Sequence, residues 1–122
     1  MSLTSEIAKA VDAHLAWKGR LGVAIEGRPC DLRPDVVAAD DRCAFGAWLY
    51  GSTVSSEAKA RAEFAECRQL HAQFHVAAAG VLELALAGRR TEALAAIGIG
   101  SEFTHLSYAL VDAMVRWQSR AE

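Results

Sequence analysis

Two histidines occupy positions in this 122-residue sequence where apolar residues are expected, and a third histidine lies close to one of them. His14 and His71 fall on the inward-facing seams of two predicted helices, and His75 follows four residues after His71, in the segment HAQFH. Residues four apart on a helix project from one face about one turn apart, so His71 and His75 can hold one metal ion without a change of backbone. A buried imidazole costs free energy unless its nitrogens have partners. The pattern therefore indicates a metal site, with hydrogen-bonded core histidines as the alternative.

Cys43 adds a thiol to this set. Asp40 or Asp41 is predicted to cap a short helix whose first turn contains Cys43, and free amide groups and the helix dipole stabilise a thiolate at that position. A thiolate combined with imidazoles is a ligand set that suits Zn²⁺. The alternative for Cys43 is a small buried apolar side chain. If Cys43 and the three histidines converge, they form a tetrahedral site without an open position, which is typical of structural or regulatory zinc.

The surrounding residues give little support to catalysis. A zinc protease has the helical motif H-E-x-x-H, whereas Ala72 follows His71 and no acid stands between the two histidines of the pair. The segment Glu102 to His105 reads E-x-x-H, but a di-iron bundle needs two such motifs, and His105 lies off the seam of its helix. Two alternatives stay open. One is a hydrolytic zinc site in which Cys43 is free and a water is the fourth ligand, and the other is a metal-free helical interaction module.

The elements that must position these residues are helical. Apolar residues recur every three or four positions in three long stretches, which predicts three long helices that face a bundle core. The three seams are Leu3, Ile7, Ala10, His14, Trp17, Leu21 and Ala24; then Phe64, Cys67, His71, Phe74, Ala78, Val81 and Ala85; then Phe103, Leu106, Leu110, Ala113 and Trp117. There is no strand signal, so the sequence predicts an all-α fold, a four-helix bundle with three long helices and one or two short ones.

Turn and capping residues predict where these helices begin and end. The first long helix is expected to stop at Gly27, and residues 26–39, which hold both prolines, are expected to form an irregular connection. Ser55 or Ser56 is expected to cap the second long helix, and Ser101 the last one. A short helical piece is predicted between Thr91 and Ile97.

The aromatic residues near the candidate ligands have a simple interpretation. Four of them alternate with the ligands at helical spacing, and we expect them to form a dry apolar shell: Trp17, Phe45, Trp48 and Phe74. Gly46 is expected to allow a close approach between helices there. Of the other two cysteines, Cys67 lies on a seam and is predicted to be core packing, and Cys30 is predicted to play no part.

Length, composition and charge narrow the class of protein. Residues 1–122 are predicted to form one domain, because their number is typical of a single domain. The chain is 52% hydrophobic and 23% charged, and it has a formal net charge of −2. We expect no nucleic acid and no membrane surface as partner, because both require a basic excess. Three cysteines are too few for a disulfide framework, which favours a reducing, cytoplasmic setting. We expect neither a membrane span nor a signal peptide.

The blocks that carry the four candidate ligands resemble the chemoreceptor zinc-binding domain family, or CZB. The family pattern has a histidine followed three residues later by tryptophan, here His14 and Trp17. It continues with a C-x-[FL]-G-x-W motif, here the segment 43–48, and with H-x-x-[FH]-H, here the segment 71–75. All three blocks occur in order. The residue before the second tryptophan is commonly lysine in the family and is Ala47 here, which we expect to matter little for metal binding.

The resemblance implies a four-helix bundle that binds Zn²⁺ through His14, Cys43, His71 and His75. It implies a regulatory domain of bacterial signal transduction, not an enzyme, that senses zinc or oxidants such as hypochlorous acid through the zinc-bound thiolate. Family members are usually fused to chemoreceptor signalling domains or to diguanylate cyclases, which make cyclic di-GMP, and they often form homodimers. This sequence contains neither output domain, so it is compatible with a standalone sensor and with a piece of a longer protein.

Overall fold

The structure is a computed structural model that describes residues 3–120. Within that range the chain is helical and has no strand, which confirms the predicted all-α fold. The helices are α1 (Leu3–Leu15), α2 (Trp17–Ile25), α3 (Pro34–Ala38), α4 (Ala44–Tyr50), α5 (Ser56–Lys59), α6 (Ala62–Leu86), α7 (Arg90–Ala96) and α8 (Glu102–Arg120). None of the described helices combines the length and the apolar character that a membrane crossing requires.

Three long helical elements build the bundle. Helices α1 and α2 act as one element, because Ala16 between them keeps right-handed helical dihedrals. Helix α6 is central and packs against α8, α3 and α2, while α1 packs against α8 and α4. The short helices are more numerous than predicted, and α3 and α4 complete the bundle beside α1, α2 and α6.

The predicted seams face the core. Ile7, Leu21, Phe74 and Leu110 are completely buried, and Cys67 is completely buried with them, as predicted. Burying one such aliphatic or aromatic side chain contributes roughly 1.5–3 kcal/mol, so each of them is worth a large share of a net stability that is typically about 5–15 kcal/mol. The core of the bundle fixes the orientation of α1 and α6, which carry the three histidines of the predicted site.

Several helix ends differ from the prediction, and each difference is local. Residues 26–39 are not wholly irregular, because Pro34 begins α3 at a first-turn position that suits its fixed φ and missing N–H. The second long helix is divided, since Arg61 has extended dihedrals between α5 and α6. Ser55 does cap α5, accepting a hydrogen bond from the Ala58 N–H at 3.1 Å. Thr91, which is predicted to cap the short helix, lies inside α7, whose N-cap residue is Arg89.

The start of α4 corrects the prediction that Asp40 or Asp41 is its cap. Cys43 is the N-cap residue, and its sulfur accepts a hydrogen bond from the Gly46 N–H at 3.3 Å. The carboxylate of Asp40 instead accepts a hydrogen bond from the Tyr50 hydroxyl. The main chain of Asp40 lies against Gly46 so closely that a Cβ at position 46 would overlap its carbonyl oxygen. The close approach predicted for Gly46 is therefore between a loop and a helix.

Substituting Gly46 with alanine is expected to destabilise the protein by about 1–3 kcal/mol, because the new methyl group collides with backbone that cannot rotate away. Urea unfolding of the metal-free protein measures the effect. Gly80→Ala is the matched control, since a Cβ there meets nothing within 4 Å. Gly80 lies inside α6, so the control variant should gain roughly 0.5–1 kcal/mol. Equal effects of the two substitutions would contradict the packing described for the loop before α4.

Candidate metal centre

Four side chains from three separate elements converge inside the bundle. His14 lies near the end of α1, Cys43 caps α4, and His71 and His75 lie one turn apart in the middle of α6. One potential ligand atom from each of the four lies within 4.8 Å of the other three. The three histidines are buried and Cys43 is half-buried. The sequence prediction that these positions meet is thus matched by the geometry.

The distances among the ligand atoms are close to those around a metal ion. The Cys43 sulfur lies 3.3 Å from Nε2 of His71 and 3.5 Å from Nε2 of His75, and the two Nε2 atoms are 3.0 Å apart. A tetrahedral zinc ion with bonds of about 2.0–2.3 Å places its ligand atoms roughly 3.3–3.6 Å apart. These three atoms therefore need only small movements to accept zinc, and a ligand atom of His14 lies within 4.8 Å of each of them. Nitrogen and sulfur are the donor types that zinc prefers.

Backbone carbonyl groups orient two of the three imidazoles. Nδ1–H of His14 donates to the carbonyl oxygen of Ala10 at 2.7 Å, and Nδ1–H of His75 donates to that of Val37 at 2.9 Å. Each bond leaves Nε2 of that ring with a lone pair for a metal, which is the arrangement seen around ligating histidines. Nε2 of His14 is buried without a hydrogen-bond partner among residues 3–120. Such an atom costs free energy unless something binds it, and a metal ion would do so.

Burial sets the charges of the candidate ligands. Desolvation lowers the pKa of His14 to about 4 and that of His71 to about 2, and it lowers the pKa of His75 as well. Desolvation raises the pKa of the Cys43 thiol, although the N–H of Gly46 acts in the opposite direction. Near neutral pH the imidazoles are therefore uncharged and ready to bind a cation, while Cys43 must lose its proton to do so.

An apolar aromatic shell surrounds the cluster, as predicted. Phe74 and Phe45 meet the His14 ring edge to face, with centroids 5.4 and 5.8 Å apart, and Trp17 meets His75 in the same way at 5.8 Å. All three aromatic residues are buried. Trp48 is half-buried and stacks on Phe45 at 5.7 Å. This shell keeps bulk water from the histidines and strengthens electrostatic interactions within the site.

Two clefts lead from the surface to Cys43. One has a volume of about 390 Å³ and ends on Cys43 and His14, and the other has about 300 Å³ and ends on Cys43 and His75. Trp17 and Arg20 line both clefts, and the Arg20 guanidinium lies 4.0 Å from the centre of the Trp17 ring. His71 lines neither of these two clefts. Small molecules can therefore approach the sulfur, while His71 is shielded.

The remaining chemistry-bearing side chains lie where the sequence places them. Cys30 and His105 are exposed, and Cys67 is in the core. No motif of the sequence indicates the carbonyl groups that orient the imidazoles. The Ala10 carbonyl could have been found, because it lies one helical turn before His14. The Val37 carbonyl could not, because it belongs to a helix within the stretch that was predicted to be irregular.

Comparison with known families agrees with this geometry. Residues 14–82, more than half of the 122-residue chain, match the family described as chemoreceptor zinc-binding domain, or CZB. The matched segment begins at His14 and contains Cys43, His71 and His75. No curated protein and no solved structure gives a match.

Acid is expected to destabilise the metal-free protein well before its carboxylates are protonated. The unfolded chain binds protons at its histidines below pH 6.5, whereas burial keeps His14 and His71 neutral down to about pH 4 and about pH 2 in the folded chain. Each of these histidines should therefore reduce the free energy of unfolding by about 1.4 kcal/mol per pH unit below 6.5, until its folded-state pKa is reached. Urea unfolding between pH 7 and pH 4 measures this slope.

The exposed His105 provides the control for this experiment. The variant His105→Ala should give the same pH profile as the unchanged protein. A free energy of unfolding that stays constant between pH 7 and pH 5 would show that the three imidazoles are not held neutral by burial.

Proposed function

The chain belongs to the chemoreceptor zinc-binding domain family, and from that premise we propose that it is a regulatory domain whose Zn²⁺ is held by His14, Cys43, His71 and His75. The proposal rests on the convergence of these four side chains, since one potential ligand atom of each lies within 4.8 Å of the others. Three neutral imidazoles and one thiolate give the complex a net charge of +1, with no position left for a reacting water.

Zinc at this position would connect elements that are distant in the chain. His14 lies in α1, Cys43 caps α4, and the other two ligands lie in α6. A ligand that binds only the folded state stabilises it, by an amount that rises with the logarithm of the ligand concentration above the dissociation constant. Zinc would therefore tighten the packing of α4 against α1 and α6. Loss of zinc would loosen the same contacts, and this change of packing is the signal that we propose for the domain.

Cys43 is also the ligand through which an oxidant would act. It is half-buried at the end of two clefts, whereas His71 is completely buried. Hypochlorous acid would transfer its oxygen to the thiolate, so that the sulfur is oxidised to sulfenic acid and the chlorine leaves as chloride. The product is a poorer zinc ligand than the thiolate, so oxidation and zinc loss would have the same effect on the bundle.

A hydrolytic zinc site is the second candidate, favoured only by the access that the two clefts provide. It requires Cys43 to stay unbound so that a water can occupy the fourth position. The short distances from the Cys43 sulfur to His71 and His75 argue for coordination by sulfur instead. A metal-free interaction module gives no reason for the buried Nε2 of His14 to lack a partner among the described residues.

The output of the domain is proposed from its family. We propose a cytoplasmic bacterial setting, a homodimer, and a chemoreceptor or a protein of cyclic di-GMP signalling as the partner. The chemoreceptor setting is supported by the family description, and the slight negative charge of the chain disfavours nucleic acid and anionic membranes as partners. Sedimentation of the zinc-loaded chain tests the homodimer, and a monomer at micromolar concentration would remove it from the proposal.

Metal analysis of the purified protein tests the ligand set. We expect one zinc per chain, and we expect His71→Ala and Cys43→Ala to weaken zinc binding by more than about 100-fold, beyond the usual effect of changing an outer-shell residue. His105→Ala and Cys30→Ser are matched controls, because both residues are exposed and outside the cluster. They should bind zinc like the unchanged chain. Less than half a zinc per chain, independent of His71, would contradict the proposal.

Cobalt in place of zinc distinguishes the two candidate functions in the same variants. Coordination by Cys43 should give a thiolate-to-cobalt charge-transfer absorption that disappears in Cys43→Ser. If the unchanged protein lacks this absorption but binds one cobalt, Cys43 is not a ligand, and the hydrolytic site becomes the better interpretation.

Oxidant release of zinc tests the proposed signal. In Cys30→Ser, one equivalent of hypochlorous acid should release most of the zinc and add one oxygen atom to Cys43. Cys67 should stay unmodified, because it is completely buried and burial raises the pKa of its thiol to about 12. A zinc indicator and peptide mass spectrometry measure the two changes. Oxidation of Cys43 with full retention of zinc would contradict the proposed response to oxidants, because that response requires zinc to be released.

A further inference from the structure

Neighbouring groups determine where two of the buried imidazoles carry their protons. Nδ1 of His14 lies 2.7 Å from the Ala10 carbonyl oxygen, and Nδ1 of His75 lies 2.9 Å from that of Val37. A carbonyl oxygen can only accept, so both Nδ1 atoms carry the proton and both Nε2 atoms carry a lone pair. These two rings therefore have the tautomer that zinc requires while the protein is still free of metal.

His71 is in a different situation. Its Nε2 lies 3.0 Å from Nε2 of His75 and 3.3 Å from the Cys43 sulfur. Two nitrogen lone pairs would repel each other at 3.0 Å, so one of these nitrogens carries a proton between them. Because the proton of the neutral His75 ring is on Nδ1, the shared proton belongs to Nε2 of His71.

We propose that His71 changes its tautomer when zinc binds. In the metal-free protein its Nε2–H donates to Nε2 of His75, and in the zinc-bound protein its proton is on Nδ1, so that Nε2 can coordinate. One proton leaves Nε2 for the solvent and one is taken up at Nδ1, so the ring stays neutral throughout. This inference rests on the ligand set of the proposed function.

The new tautomer leaves a buried donor without an acceptor. Nδ1 of His71 is buried and has no hydrogen-bond partner among residues 3–120, in contrast to Nδ1 of His14 and His75. The nearby Phe45 ring, with its centroid 5.1 Å away, offers only a π face or an edge. An unpaired buried N–H lowers the affinity for zinc by about tenfold or more, compared with a site in which all three imidazoles are satisfied.

The proton on Nε2 consequently takes the place of the metal in the empty site. It joins His71 to His75 and keeps both rings in position, so the metal-free protein should retain its helices and the arrangement of this pair on α6, while α4 is held less tightly. Zinc then enters a site in which His71 and His75 are already in place. To bind, it must displace this hydrogen bond and shift the His71 proton to Nδ1, where the N–H has no acceptor among residues 3–120. A regulatory site gains from this balance, because zinc can be both taken up and released without refolding of the bundle.

Nuclear magnetic resonance of the ¹⁵N-labelled full chain tests the proposal, since long-range ¹H–¹⁵N spectra identify the protonated nitrogen of each imidazole. After removal of zinc with a chelator, Nε2 of His71 should be protonated and should show a coupling to Nε2 of His75 across the hydrogen bond. After addition of one equivalent of zinc, this coupling should disappear and Nδ1 of His71 should be protonated. His14 and His75 should keep the proton on Nδ1 in both states, and the exposed His105 should not respond to zinc.

The other possible outcomes would contradict either this inference alone or the proposed function as well. Protonation of His71 at Nδ1 in both states would overturn the inference while leaving the proposed ligand set intact. Loss of helical circular dichroism on chelation would overturn it as well, because the shared proton would then fail to hold the site together. If zinc leaves the Nε2 resonances of all three buried histidines unchanged, the proposed function fails, and this inference fails with it.

Discussion

The organisation of this protein depends on the placement of polar rings inside an apolar bundle. His14, His71 and His75 are almost completely buried, and desolvation favours their neutral forms. A neutral imidazole still has one donor and one acceptor, and neither can be left to water in this core. Two carbonyl oxygens take two of the donors, and the inward-facing nitrogens gather beside the Cys43 sulfur. The bundle thus brings together a set of donors that suits a cation, and it leaves Nε2 of His14 buried without a hydrogen-bond partner among residues 3–120.

The elements around the site each supply a specific part of this arrangement. Helix α6 presents two rings at a spacing of four residues, and α1 supplies both His14 and the carbonyl that orients it. The short helix α3 contributes no ligand, yet its Val37 carbonyl fixes the tautomer of His75. Gly46 lets the main chain of Asp40 pass close to α4, the helix that Cys43 caps. A change in any of these contacts would move a ligand atom without altering the ligand itself.

The sequence predicts those features of the fold and of the candidate site that follow from helical periodicity. Seam spacing identifies the long helices and places His14 and His71 in the core, and the H-x-x-x-H spacing pairs His71 with His75. Local chemistry without a period was harder to predict. The sequence predicts a cap by Asp40 or Asp41, whereas the Cys43 sulfur takes that role and the Asp40 carboxylate accepts a hydrogen bond from the Tyr50 hydroxyl. The Val37 contact joins positions 38 residues apart, and no local pattern could indicate it.

The difference in exposure between the ligands fits regulation better than catalysis. His71 lies on a 25-residue helix and is completely buried, so its position is fixed by the core. Cys43 lies at the start of a 7-residue helix and is reached by two clefts, so among the proposed ligands it is the one that can react or leave most easily. A catalytic zinc site exposes the metal to substrate and keeps its ligands fixed. Here the accessible group is Cys43, one of the proposed ligands, and under the proposed function a reaction at its sulfur would weaken the link between α4 and α6.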